Sequence, residues 1–155
     1  MGIRSLELKI PPPAVALCFA ILMWLVSWLM RPMQVPFDVR LGVALLLGVA
    51  GQVISVGGMI AFRRAKTTIN PFKPAAASSL VSEGVYRYTR NPMYAGLLLT
   101  LIGWAAFLSN PLALLLLPLF VLYINRFQID PEERVLSSLF GAEYSDYKNR
   151  VRRWL

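Results

Sequence analysis

Residues 94–124 read YAGLLLTLIGWAAFLSNPLALLLLPLFVLYI, a run of 31 positions without a charge. As a single helix it would extend about 46 Å, well beyond the ~30 Å hydrocarbon core of a bilayer. Ser109-Asn110-Pro111 at its middle resolves the excess, because the residue before a proline is pushed out of the α region and Asn-Pro favours a turn. The run therefore reads as a tight helical hairpin. Starting its first arm near Asn91 and carrying its second to about Ile129 gives spans over 91–108 and 111–129.

The same reading extends toward the N-terminus. Val39 to Phe62 has Arg40 as its one charge, placed in the first turn where the long side chain can snorkel. Ala14 to Met30 has none, and it lies between Pro11-Pro12-Pro13 and Arg31-Pro32. A signal peptide is the competing reading of this first run, but no small-x-small cleavage site follows and Trp24 and Trp28 are atypical of one. With 57% apolar and 15% charged residues the composition is far from that of a soluble domain. The expectation is one integral membrane domain over 1–155. It is an all-α polytopic membrane protein with about four transmembrane helices (14–30, 39–62, 91–108, 111–129), a loop at 63–90 and a surface tail at 130–155.

A formal net charge of +8 would suggest nucleic acid in a soluble protein. Here the basic residues flank apolar runs, so membrane lipids are the expected partner and no nucleic acid is. Fourteen of the sixteen Lys and Arg fall in the N-terminal segment (Arg4, Lys9), the 63–93 region and the tail, leaving Arg31 and Arg40 opposite. Both termini and the long loop are thus expected in the cytoplasm, at the cell inner membrane if the protein is bacterial. The chain has no histidine, which excludes serine triads, histidine bases and histidine metal sites, and no metal is expected. Cys18 is the single cysteine and can form no internal disulfide. Small residues Gly48, Gly51, Ser55 and Gly58 form a stripe suited to close packing, within one chain or between copies.

Two charged clusters return to the same membrane face. In Gly84–Gly96, Arg87 and Arg90 stand three apart, bracketed by Tyr86 and Tyr94. They form either a positive anchor with an aromatic belt or a group that binds an anion or stacks a planar ring. Asn91-Pro92 adds a freed turn at a helix start. After the fourth span, Asp130 is read as an N-cap, Pro131 as the first helical residue and Glu133 as the capping-box acid. Glu132 and Glu133 either complement the helix dipole or face a ligand beside Arg90. Arg126 is either a snorkelling anchor or a site residue at the membrane boundary. Beyond them Val135, Leu136, Leu139 and Phe140 give one apolar face, Gly141 ends that helix, and Tyr144, Tyr147, Val151 and Trp154 continue the pattern. The tail is expected to lie along the membrane surface.

These residues resemble a known family. The run from Gly84 through Tyr86, Arg90-Asn91-Pro92, Tyr94 and Gly96, then Asn110-Pro111, Glu132-Glu133, and Leu136, Leu139-Phe140-Gly141, Glu143-Tyr144 and Tyr147 is similar to the isoprenylcysteine carboxyl methyltransferase and phospholipid methyltransferase group of membrane enzymes. The resemblance covers roughly Thr67 to the C-terminus. It implies S-adenosylmethionine as methyl donor and a lipophilic small-molecule acceptor arriving from the bilayer. Carried over by position, it implies Tyr86, Arg90, Asn91, Pro92 and Tyr94 as the cofactor-binding wall, with Glu132 and Glu133 closing it. Many members carry His at the position of Asn91, and the carboxyl methyltransferases tend to carry Arg at the position of Gln128.

Transfer from a sulfonium asks mainly for alignment and exclusion of water. Arg126 is expected to orient the acceptor and Glu132 to stand near the donor as the catalytic pair. The acceptor stays open among an isoprenylcysteine or lipid carboxylate, a phospholipid amine and a small thiol. The alternatives are a non-catalytic membrane binding or assembly protein and a NADPH-dependent oxidoreductase akin to the sterol reductases.

Overall fold

Every regular element among residues 7–67 and 77–155, which the computed structural model describes, is helical. In order these are α1 (Pro12–Ser27), α2 (Phe37–Arg64), a 3-10 turn at Gly84–Arg87, α3 (Pro92–Leu108), α4 (Pro111–Ile124), a π-helical turn at Asn125–Ile129 and α5 (Asp130–Arg150). Arg4 and Lys73, used above for orientation, lie outside the described residues. Pro12, Pro92 and Pro111 each sit in the opening turn of their helix, where the missing N–H costs no hydrogen bond.

The hairpin forms where Ser109-Asn110-Pro111 predicts it. Ser109 adopts a left-handed conformation (φ 51°, ψ 39°), and its N–H reaches back to the carbonyls of Ala105 and Ala106 to close α3. Asn110 caps α4 by accepting from the Leu112 N–H at 3.0 Å, and its amide donates to the carbonyls of Ser27 and Met30 at 3.0 and 2.8 Å. One fully buried side chain therefore starts α4 and ties it to the end of α1. Met33 N–H donates to the Ser109 carbonyl at 2.7 Å, and Arg40 donates to the Phe107 carbonyl at 3.3 Å. Both short connections, with Arg40, thus share one end of the bundle.

The apolar surface faces outward. In the most apolar 18 residues of α2 only 11% are buried, and Leu46, Val53 and Leu115 are each at least 65% exposed. A core helix of a soluble protein would show the reverse, and a water-facing patch of this size would aggregate. The chain is a membrane protein. Its interior lies between α1, α3 and α4, where Met23, Phe120, Ile124 and Ile129 are fully buried and the Trp104 indole donates to the Ala20 carbonyl at 3.0 Å.

The small-residue stripe divides its work. Gly51, Ser55 and Gly58 face α3 within the same chain: a Cβ on Gly51 would collide with the Gly96 carbonyl, and one on Gly96 with the Ser55 hydroxyl and the Gly51 carbonyl. Gly48 faces away, with nothing within 4 Å of a Cβ built there. The α2–α3 seam is thus a backbone-to-backbone contact. Gly96→Leu is expected to separate the pair at a cost of at least about 1–3 kcal/mol. The loss would register as a lower thermal midpoint and a smaller monodisperse peak in size-exclusion chromatography.

One expected start is not a start. Asp130 is helical (φ −60°, ψ −43°) and no side chain caps here; α4 passes through the π turn directly into α5. The cause is Pro131. A proline in a continuing helix leaves the carbonyl four residues back without its N–H and crowds it. The wider π turn over Asn125–Ile129 relieves the crowding. The Phe127 carbonyl takes the Leu8 N–H instead, at 3.0 Å. Further on, Gly141 breaks α5 at φ 48° and ψ −117°, a conformation that favours glycine. Beyond it Tyr144 and Tyr147 are buried against protein, so this stretch of the tail packs on the 84–91 region.

Candidate functional site

The 3-10 turn, the start of α3, the start of α5 and the C-terminal segment converge at the end of the bundle opposite the hairpin. Tyr86 is buried between them. Its ring meets Phe62 edge-on at 5.4 Å, and its carbonyl accepts from the Tyr147 hydroxyl at 2.8 Å. Burial, with Tyr147 and Glu132 adding to it, pushes the Tyr86 phenol well above its ordinary range, so it remains a neutral donor.

Arg90 holds the site together. Its guanidinium donates to Glu133 Oε1 at 2.9 Å and to the carbonyls of Lys148 and Val151 at 3.0 and 2.7 Å, while its backbone N–H bonds the Arg152 carbonyl at 2.9 Å. Glu133 Oε2 accepts from Arg153 at 2.7 Å, with Lys148 Nζ 3.9 Å away, and Arg153 also reaches Asp130 at 3.0 Å. Burial alone would raise the Glu133 carboxyl, but hydrogen bonds from Arg153 and Arg90 outweigh it and hold it below the ordinary carboxylate range. Glu133 is therefore an ionised anchor whose two oxygens are both engaged.

Glu132 is placed differently. Tyr94 donates to its Oε1 at 2.6 Å, and none of the ion pairs among the described residues includes it. Burial raises its pKa to about 7, with Glu133 adding to the rise and the Tyr94 hydrogen bond opposing it. Adjacent acids on one turn thus differ in kind, one neutralised by two guanidiniums and the other without a cation. Arg90 Nε is a buried N–H with no acceptor among the described residues. The cluster thus contains a carboxylate lacking a cation and a buried donor lacking an acceptor among the described residues.

Asn91 does not cap α3. Its amide donates to the Arg153 carbonyl at 2.9 Å, and the Thr89 hydroxyl donates to the same carbonyl at 3.2 Å. Trp154 donates to Asn125 Oδ1 in the π turn at 3.0 Å. The strap 151–155 is thereby pinned at both ends. Replacing Asn91 by Ala removes one bond to a main-chain carbonyl, worth about 1 kcal/mol. The expected result is faster proteolytic clipping near Val151 and a small fall in thermal midpoint.

Of the expected site residues, the structure joins Tyr94 with Glu132, joins Arg90 with Glu133, and sets Tyr86 beside Tyr147. Pro92 is buried at the start of α3, 3.2 Å from a Cβ built on Gly58. Arg126 is not hydrogen-bonded to this group: its guanidinium meets Glu7 at 2.7 Å, and Arg134 binds the other Glu7 oxygen. Gln128 is buried and donates to the Ile10 carbonyl at 2.8 Å. Thr89 and Arg153 enter the cluster without having been expected at the site, and Asp130, Tyr147 and Trp154, expected only as a helix cap and an apolar face, join it or its strap. A tryptophan beside two arginines, Arg152-Arg153-Trp154, was the one sign of the strap in the sequence.

The sequence pattern that defines the phospholipid methyltransferase family matches residues 39–143, which spans α2 through the Gly141 break and contains both halves of the site. The chain belongs to that family. A probable protein-S-isoprenylcysteine O-methyltransferase of rice (Oryza sativa subsp. indica) is 31% identical over 139 residues, covering 88% of this chain and 71% of that one. The protein-S-isoprenylcysteine O-methyltransferase of Saccharomyces cerevisiae is 34% identical over 142 residues, covering 86% of this chain and 58% of that one. A Haemophilus influenzae protein described only as uncharacterized is 54% identical over 63 residues, its whole length and 41% of this chain. No solved structure matches the chain significantly. Family membership together with the lipid-facing helices makes this protein a membrane methyltransferase.

Proposed function

We propose that this protein transfers a methyl group from S-adenosylmethionine to a lipophilic acceptor at the cytoplasmic face of the membrane. The observation that carries the reading is the Tyr94–Glu132 pair, a half-buried carboxylate without a cation beside the saturated Glu133. A donor bearing a sulfonium and an ammonium group fits that vacancy in charge. The unpartnered Arg90 Nε fits a carboxylate or hydroxyl oxygen of the same molecule. When bound, S-adenosylmethionine would supply an electrophilic methyl group, which passes to an in-line acceptor as the S–CH3 bond breaks and S-adenosylhomocysteine leaves.

The side chains bind and align. Glu132, ionised, offsets positive charge. Tyr94 keeps its carboxylate turned inward, and Tyr86, Asn91 and Pro92 shape the wall. Arg90 and Glu133 fix the start of α5 and the strap, so that the wall is rigid before the ligand arrives and little ordering is left for the reacting complex. Water is excluded by the same burial that raises Glu132. The chain offers no histidine to take a proton, so the acceptor reacts in its unprotonated form or gives its proton to the Glu132 carboxylate. A lipid carboxylate, which needs no deprotonation near neutral pH, agrees best with this and with the names of the rice and yeast relatives.

We read α1 to α4 as four crossings with both termini in the cytoplasm, supported by the placement of Arg40 at the hairpin end and of most other described basic residues at the opposite one. Labelled donor supplied to membranes with lipid extracts and isoprenylcysteine carboxylates should yield a labelled, organic-soluble product. Label in none of the lipid fractions would refute the reading. Arg126 is assigned a positioning role, holding the N-terminal segment on the π turn through Glu7. Arg126→Ala should lower thermal stability and leave the acceptor KM within about threefold. A large rise in acceptor KM at unchanged stability would assign it instead to the acceptor.

A further inference from the structure

A cavity of about 640 Å³ opens at the loop end of α2 beneath the 79–85 segment, and none of its lining residues belongs to the Arg90–Glu133 or Tyr94–Glu132 pairs. Its inner wall is apolar, with Gly57 and Ile60; its mouth carries Arg64, Ser79, Ser82 and Glu83. The rim is built: Ser79 donates to the Ala65 carbonyl at 3.1 Å, and the Ser78 N–H donates to Thr67 Oγ1 at 2.9 Å. Arg64 and Glu83 are both exposed and take part in no ion pair among the described residues.

Gly57 and Ile60 also line an apolar groove of about 680 Å³ that continues along the outer face of α2 past Val53 to Leu45. From Leu45 to Ile60 is about 22 Å of helix, enough to follow one acyl chain through a leaflet of about 15 Å. Gly57 sits at the junction, where a Cβ would come within 3.1 Å of the Val85 side chain. A polar mouth holding both charges thus opens onto an apolar surface groove that runs along a lipid-facing helix.

We propose that the cavity and groove bind one zwitterionic glycerophospholipid. Its phosphate would lie on Arg64 and the Ser82 hydroxyl, its amine on Glu83, and one acyl chain in the groove. Charge complementarity selects this class: Arg64 alone would accept any anionic lipid, whereas Glu83 at the same mouth repels a surplus negative charge and favours a headgroup ending in a cation. The site stands apart from the methyl-transfer reading and does not rest on it.

Native mass spectrometry of the full chain, extracted in mild detergent from bilayers of equal phosphatidylethanolamine and phosphatidylglycerol, tests it. The expected result is one retained phosphatidylethanolamine per chain, with occupancy reduced about tenfold in Arg64→Ala. Glu83→Gln should keep a lipid but lose the preference for phosphatidylethanolamine, and Val53→Trp should displace the lipid without touching the headgroup mouth. All three positions are exposed, so the fold should survive, as unchanged thermal midpoints would verify. Equal retention by wild type and Arg64→Ala, indifference to the headgroup, or a second copy of the chain cross-linked across this face of α2 would overturn the proposal.

Discussion

Glu132→Gln is expected to lower methyl transfer at pH 8 by at least about a hundredfold, the scale set by losing a charge-assisted contact in a water-poor site. The substitution keeps the volume and an acceptor for the Tyr94 hydroxyl, so the fold should persist and the loss should appear in donor affinity. The wild type also has a pH signature. The Glu132 carboxyl titrates near 7 in the folded chain, above the 4.5 of a free side chain, so between these values the folded state retains a proton that the unfolded state gives up. Stability contributed by this group is therefore greatest at low pH and falls as pH rises from about 4.5 to 7. Donor affinity should run the other way, rising through pH 7 as the carboxylate forms. A protein that loses thermal stability while gaining affinity over one pH interval is an unusual pattern, and Glu132→Gln should remove both slopes.

Arg90→Ala carries the second large effect, and it differs in kind. It removes one of two guanidiniums from the buried Glu133 and leaves the carbonyls of Lys148 and Val151 without their donor. Breaking a buried pair from one side costs about 3–5 kcal/mol. Arg90→Lys should recover little of this, because one ammonium cannot reproduce a fork that serves a carboxylate and two carbonyls. The double variant Arg90→Ala/Glu133→Ala should be more stable than Arg90→Ala alone, since it no longer strands a buried charge. Arg153→Ala should be milder, its side chain being a third exposed. Thermal unfolding of the four variants in one detergent orders them, and a double variant less stable than Arg90→Ala would contradict the assignment.

What was legible in the sequence follows the physics of each signal. The hairpin was readable because Asn110 and Pro111 act locally, through a cap and a blocked conformation. Arg90, Tyr94 and the two acids were readable because charges beside apolar runs are few and their spacing places them on one face. The π turn was not, because Pro131 fits the first turn of a new helix as well as a bulge in a continuing one; the helical backbone of Asp130 and the Leu8 N–H on the Phe127 carbonyl distinguish the two. The strap was hidden for a related reason. Thr89, Arg90 and Asn91 hold it through the carbonyls of Val151, Arg152 and Arg153, and a carbonyl leaves no mark in a sequence. The contact of Arg126 was hidden because its partner, Glu7, lies 119 positions away and nothing local announces it. The difference between Glu132 and Glu133 was likewise invisible, being set by what surrounds two identical side chains.

Calorimetric titration of the purified protein decides whether the Tyr94–Glu132 pair, braced by the Arg90–Glu133 clamp, binds S-adenosylmethionine. S-adenosylmethionine and S-adenosylhomocysteine should each bind one to one at pH 8 and NADPH should not. S-adenosylmethionine affinity should fall about tenfold between pH 8 and pH 6, and to a similar extent or further in Glu132→Gln at pH 8. Binding of NADPH, no binding of either adenosyl compound, or S-adenosylmethionine affinity unchanged in Glu132→Gln would contradict the account.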